Sequence, residues 1–301
     1  MDPLRVAVQR GETVESEHLV DLVAVRDGAV LLAAGTPARP VCMRSSAKPF
    51  QALPLARARD DLDDRERAIA CASHRAEPAQ LDAVRALLAR APAAEDELEC
   101  GPQEGRPADR IHHNCSGKHA GMLALCRARG WDTRDYRLPE HPVQQAAHAA
   151  LAEAAGLAPE DIPLELDGCG VPTFVLGLTP MAHAFSRLER LEGGRALADA
   201  MRLHPELVGG EGALDTELMR AYPGLVAKGG AEGLLCLVTA GGVGVALKSR
   251  DGNPRPQREA ISLVFDRLGL GELPQSLRQS QLRNSRNEIV GCLSGTWPGA
   301  V

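Results

Sequence analysis

The sequence predicts an α+β fold, an antiparallel sheet with flanking helices packed on it, and three observations predict it. Alternation of period two marks residues 18–34 and 234–247, near the two ends, whereas helical patterns fill the stretch between them. Turn signals, Arg26-Asp27-Gly28 and Gly241-Gly242, sit inside the alternating stretches and make each a hairpin. Hydrophobic residues are 44% of the 301 but aromatics only 3%, so the core is ample and is built from Ala, Leu and Val. No low-complexity linker or fixed-period repeat divides the chain, and residues 1–301 read as a single domain.

The elements follow in order. After the first hairpin, Ser45-Ser46-Ala47-Lys48 leads into Phe50-Gln51-Ala52-Leu53, and a serine ahead of an Ala/Leu run predicts a helix opening at Ser45. Residues 62–92 predict two short helices joined near Ser73-His74-Arg75. A polar Gly/Pro segment over 97–111 gives way to a helix at Lys118–Arg129, closed by Gly130 as C-cap. Further helices are expected at 141–156, 181–191, 194–203 and 213–221. The second hairpin has Asp251-Gly252-Asn253-Pro254 as the turn after it, and 256–268 predict a closing helix.

Charge and composition exclude several classes of function. Net charge is −6, with acidic and basic residues interspersed, which argues against nucleic acid or an anionic membrane as partner. The most apolar stretch, 233–247, is too short to span a bilayer and is broken by glycines. The first residues, Met1-Asp2-Pro3-Leu4-Arg5, lack an apolar signal-peptide core, so a cytoplasmic protein with eight reduced cysteines is expected. Of 34 basic residues only four are lysines: Lys48, Lys118, Lys228 and Lys248. Lysine alone offers an amine that burial can bring to a working pKa, so the survivors are candidates for chemistry.

Two groups of residues carry that chemistry. In Ser45-x-x-Lys48 the two side chains share a helix face, so the amine can take the hydroxyl proton, and helix N–H groups can hold an oxyanion. One such pair arises by chance with a probability of roughly 0.16, so the motif needs company. Lys228-Gly229-Gly230, placed at the start of an edge strand before 234–238, supplies it, because glycines there admit a substrate to the backbone. Serine, lysine and a Lys-x-Gly strand are the outer elements of the penicillin-binding-protein and serine β-lactamase pattern, although the middle Ser-Asp-Asn triplet is absent. Ser73 could supply that hydroxyl, or could simply end a helix. The second group is His112-His113-Asn114-Cys115-Ser116-Gly117-Lys118-His119 with Asp167-Gly168-Cys169-Gly170. Its cysteines can be buried thiols or can share a soft cation, and Lys118 could ligate only as a neutral amine. Lys248, at a strand end before a turn, reads as a plain surface charge.

Together, Arg44-Ser45-Ser46-Ala47-Lys48-Pro49-Phe50-Gln51, Asn114–His119, Asp167-Gly168-Cys169-Gly170-Val171-Pro172 and Lys228-Gly229-Gly230 resemble the rhizobial-type L-asparaginases, also called the asparaginase II or class 3 family. The resemblance runs from about residue 5 to 295. It implies a fold similar to serine β-lactamases and penicillin-binding proteins, hydrolysis of L-asparagine to L-aspartate and ammonia, and a homodimer. It implies Ser45 as nucleophile with Lys48 as base, and Ser73 with Lys228 as a second Ser–Lys pair that relays protons. It implies zinc bound by Cys115, Lys118 and Cys169. Asp167 is suited to the substrate α-ammonium and Arg44 to its α-carboxylate, with His119 bordering the metal cluster and Gly229 at the substrate's edge. The chain departs from relatives in one place: where they often carry a cysteine, it has Asp215 ahead of Thr216-Glu217-Leu218-Met219. Two other functions fit the same residues: a penicillin-recognising serine hydrolase acting on β-lactams or D-amino peptides, and a non-catalytic amino-acid or metal-binding protein on the same scaffold.

Overall fold

The computed structural model describes residues 1–298. Three strands open it, β1 (Leu4–Arg10), β2 (Thr13–Arg26) and β3 (Ala29–Ala34), followed by the short β4 (Val41–Cys42). The helices α1 (Lys48–Ala58), α2 (Asp64–Ala70), α3 (Pro78–Arg90), α4 (Ser116–Arg129) and α5 (Pro142–Ala155) come next. Then come β5 (Leu164–Leu166), β6 (Pro172–Leu176) and the helices α6 (Leu178–Arg187), α7 (Gly194–Leu203), α8 (Pro205–Gly209) and α9 (Leu214–Ala221). The chain returns through β7 (Val226–Gly230), β8 (Leu234–Val238), β9 (Gly244–Ser249), α10 (Gln257–Leu268), α11 (Gln275–Arg278), β10 (Gln281–Arg283) and β11 (Ile289–Thr296).

The main sheet runs β10-β11-β1-β2-β9-β8-β7, with β3 also paired to β2. Every pairing is antiparallel, which joins the chain ends through β1 and β11 and leaves β7 on an edge. A second sheet, β4-β6-β5, lies apart from it. All five residues of β8 are buried, as expected of a strand covered on both faces. Helix α6 comes so close to β9 that a Cβ on Gly244 would stand 2.0 Å from the Ala182 carbonyl oxygen, so only glycine fits there. The core residues are largely Ala, Leu and Val, as the composition requires.

The α+β class and both hairpins agree with the sequence, and Gly130 closes α4 with φ +67°. Four expectations are corrected. Helix α1 starts at Lys48 after a 3₁₀ turn at Arg44–Ala47, and its cap is Ala47, so Ser45 does not cap it. Pro49 in the first helical turn sets that start, since proline suits a position whose N–H needs no partner. Lys228 occupies a strand of its own, β7, with Lys228 opposite Cys236 of β8. The helix expected at 181–191 is α6, Leu178–Arg187, followed by a 3₁₀ turn. Residues 256–268 do not close the fold, because α11 and two more strands follow, and β11 pairs with β1. No helix among the described residues is long and apolar enough to cross a membrane, and all eight cysteines are free thiols.

Candidate active site

The site forms where five chain segments converge. Main-chain bonds from Met43 to Phe174 O, 2.8 Å, and from Arg44 to Thr173 Oγ1, 2.9 Å, tie the Ser45 turn to β6. The turn between β5 and β6 carries Asp167 and Cys169, which brings them beside Arg44. The loop after α2 carries Ser73, held by bonds from its N–H to Val208 O and from His74 N–H to Asn114 O. The loop before α4 carries Cys115, and Lys118 stands in that helix's first turn. Helix α4 presses on α2 so closely that a Cβ on Gly117 would lie 2.2 Å from Ile69 O. Glycine is therefore what lets Cys115 and Lys118 reach the site.

Arg44, Ser45, Gln103, Asn114, Asp167 and Cys169 are among the walls of a cleft of about 230 Å³. Pockets for drug-sized ligands run from roughly 300 to 1,000 Å³, so this one suits a smaller molecule. Ser45 is half-buried, and among the described residues its hydroxyl has no hydrogen-bond partner. Arg44 donates through Nε to Asp167 Oδ1 at 2.6 Å, which leaves its other guanidinium N–H groups free to bind a carboxylate. Arg44 holds φ +49°, an unusual conformation for a residue with a side chain, where the backbone leaves β4 for the turn. Asp167 is pulled below the usual carboxylate range: burial opposes this, but Lys118 and Arg44 outweigh it.

Behind the serine lie two buried lysines. Lys48, fully buried, donates from Nζ to Ala72 O at 2.5 Å and to Ser73 Oγ at 2.9 Å. Burial pushes its pKa down, and the neighbouring cations Lys118 and Lys228 push the same way. Lys228 does not bond Ser73. Its Nζ donates to Gly229 O at 3.0 Å and pairs with Asp215 Oδ2 at 3.4 Å. The structure thus groups Lys48 with Ser73 and Lys228 with Asp215, rather than Ser45 with Lys48 and Ser73 with Lys228. Gly229 spends its N–H on Asp215 Oδ2, 3.1 Å away, so the residue of this segment that faces the cleft is Ala231.

The sulfur-bearing residues lie together. Lys118 Nζ donates to Cys169 Sγ at 3.1 Å, and Cys115 stands against Cys169. A hydrogen bond from Cys115, with Lys118 beside it, lowers Cys169 to about 5. Cys115, as donor in a buried position, is raised. Burial opposes the Lys118 ammonium, yet Cys169, Cys115 and Asp167 hold it above the ordinary lysine value. No three His, Cys, Asp or Glu side chains gather as a metal site among the described residues. Two sulfurs and a lysine nitrogen do converge, and this donor set fits a soft cation once the ammonium gives up its proton. His119 turns away: fully buried, it bonds Tyr136 through Nδ1 at 2.7 Å, and burial lowers it to about 3. The sequence gives no signal for Gln103, which lies in the polar 97–111 segment, and marks Asn114 only as the first residue of the Asn114–His119 block, with no role assigned.

The cleft thus sets a serine hydroxyl beside a guanidinium and a carboxylate. The sequence defines the class: residues 6–294 match the L-asparaginase II family, and the chain belongs to it. No curated protein gives a significant sequence match. Among solved structures, EstCE1, a hydrolase with promiscuous acyltransferase activity, is 13% identical over 76% of this chain and 88% of that one, TM-score 0.42. SurE is 13% identical over 93% and 83%, TM-score 0.41. A beta-lactamase from Mycobacterium bovis is 14% identical over 78% and 88%, TM-score 0.33.

Proposed function

We propose that the protein is an L-asparaginase that hydrolyses L-asparagine to L-aspartate and ammonia through an acyl-enzyme on Ser45. The observation that carries this is the unpartnered Ser45 hydroxyl in a small cleft beside the Arg44–Asp167 pair, with the buried Lys48–Ser73 bond behind it. Arg44 takes the substrate α-carboxylate with its free N–H groups, and Asp167 takes the α-ammonium, which leaves the side-chain amide directed at Ser45. Lys48 is the base: its Nζ, which bonds Ser73 Oγ in the free site, must turn to Ser45, where as a neutral amine it accepts the hydroxyl proton while Oγ attacks the amide carbon. The ammonium so formed passes its proton through Ser73 Oγ to the departing nitrogen, the C–N bond breaks, and ammonia leaves. Water then adds to the ester with the same base, and Ser45 recovers its proton as aspartate departs.

Cys115, Cys169 and Lys118 would hold zinc beside this cleft. A zinc ion there would supply a fixed positive charge, polarising an oxygen of the substrate. The family membership and the converging donor set support this part.

Ammonia release from asparagine tests the activity, with glutamine and the β-lactam nitrocefin as parallel substrates. Asparagine turnover that vanishes in Ser45→Ala, with the melting temperature kept, is the expected result. Full turnover in that variant would overturn the scheme, and nitrocefin hydrolysis without asparagine turnover would assign the site to the penicillin-recognising type.

A further inference from the structure

One wall of the cleft comes from a stretch of chain that the proposed mechanism does not use. Residues Gln103, Glu104, Gly105 and Arg106 form a tight turn, closed by a bond from Arg106 N–H to Gln103 O at 3.1 Å, with Gly105 at φ +76°, a conformation glycine takes without strain. Both ends of the turn are anchored inward, while Glu104 and Gly105 stay exposed. Arg106 donates through Nη1 to His74 O at 3.1 Å and to His112 O at 2.9 Å, so one guanidinium spans the Ser73 loop and the segment leading into α4. Gln103 accepts the Asn114 N–H on Oε1 at 2.8 Å. Only the oxygen of a carboxamide can accept from an N–H, so this bond decides which way round the group sits: its oxygen is held by the protein and its NH2 is left over. Among the described residues the Gln103 Nε2 has no hydrogen-bond partner, and Gln103 lines the cleft with Arg44 and Ser45.

We infer that Gln103 is a substrate-binding residue whose Nε2 donates to the α-carboxylate of the amino acid, alongside Arg44. The reacting amide has to reach Ser45, in front of the fully buried Lys48. The α-carbon end of the substrate is thereby left toward the mouth of the cleft, where the Gln103–Arg106 turn meets solvent. A carboxylate offers about four acceptor sites. Arg44 has already given its Nε to Asp167, so a second donor is needed to surround the anion. Gln103 supplies one that the main chain has set in advance, at little further cost in ordering. It also makes the cleft selective: a carboxamide held by its oxygen can donate but not accept, so it favours an oxygen at this place and disfavours an N–H. The identity of the ligand rests on the asparaginase reading, whereas the orientation of the carboxamide does not.

Gln103→Glu tests this with almost no change of shape. One carboxylate oxygen still accepts the Asn114 N–H, whereas the other puts an acceptor and a negative charge where the donor stood. The probe is β-alaninamide, which is asparagine without its carboxylate. In Gln103→Glu, kcat/KM for asparagine should fall roughly tenfold or more, mainly through KM, while kcat/KM for β-alaninamide stays within about twofold. Gln103→Met removes the donor without adding charge and should show the same selectivity with a smaller loss. Equal losses for both amides would mean that the turn had merely shifted, and would overturn the contact. Gln103→Met with an unchanged ratio of the two rates would also overturn it, because charge repulsion alone would then explain Gln103→Glu. If the unsubstituted protein releases no ammonia from asparagine, the proposed function fails on its own. Titration calorimetry with L-aspartate, which carries the same α-carboxylate, then decides the contact: binding weakened in both variants supports it, and equal affinity or no binding to the unsubstituted protein overturns it.

Discussion

Replacing Lys48 by arginine separates the base role from mere positive charge. Lys48 is fully buried, and its nitrogen has only a carbonyl and a hydroxyl as partners. A guanidinium keeps its proton at any working pH, so Lys48→Arg removes the base, worth about 10²–10⁴ in rate. At about 1.36 kcal/mol per tenfold, that raises the barrier by roughly 3–5 kcal/mol. The same change also places a permanent cation, with no carboxylate to meet it, in a site near Lys118 and Lys228. An uncompensated buried charge costs about 3–5 kcal/mol of stability. Lys48→Met is the comparison: it removes the base equally but leaves only Ala72 O and Ser73 Oγ short of a donor, about 1–3 kcal/mol. Ammonia release with calorimetry on both variants should show equal loss of kcat and a lower melting temperature for the arginine variant. An arginine variant within tenfold of the normal kcat would refute the assignment of Lys48 as base.

Three further outcomes follow from the geometry. Lys48 must be unprotonated to act, so kcat/KM should fall as pH drops through its pKa; burial lowers that value, so a pH–rate profile should place the acid limb well below the ordinary 10.5. An acid limb at or above the ordinary lysine value would count against Lys48. Asp167→Asn removes the charge that would meet the substrate ammonium, about 1.5–3 kcal/mol, so KM for asparagine should rise roughly 10- to 150-fold with kcat less affected; steady-state kinetics showing the loss in kcat instead would contradict that role. Gly117→Ala forces a methyl group against the Ile69 carbonyl, and calorimetry should show a loss of about 1–3 kcal/mol; an unchanged melting curve would mean that the α2–α4 contact is looser than it looks.

Much of the fold was legible because its signals are local. The hairpin turns and the Gly130 cap are written in neighbouring residues, and each appears where the sequence puts it. Strands β4, β5, β6 and β10 are short and carry little local pattern, whereas β1 and β11, also unread from the sequence, take their place through pairing across nearly the whole chain: Arg5 stands opposite Thr296. The helix start at Lys48 was displaced because Ser45 looks like a cap in sequence, whereas the chain leaves β4 in a tight turn first. Among the candidate residues, Ser45, Arg44, Asp167, Cys115 and Cys169 line one cleft. His119 does not: its neighbour Lys118 faces Cys169, and one residue further along a helix turns about 100°, toward Tyr136.

The sequence by itself determined the fold class, the residue types of the site, and the rarity of lysine that singled out Lys48, Lys118 and Lys228. Only the tertiary structure decided who partners whom. Ser-x-x-Lys spacing says that two side chains can meet, but it cannot say that Lys48 Nζ turns to Ser73 from another loop, or that Lys228 turns to Asp215 on α9. The physical reason is that an amine's protonation is set by its surroundings in space: by burial, by the nearest carboxylate and by the other cations in the same interior. Asp215, which in sequence was only a departure from the family pattern, became in the folded chain the partner of Lys228, one of three buried lysines.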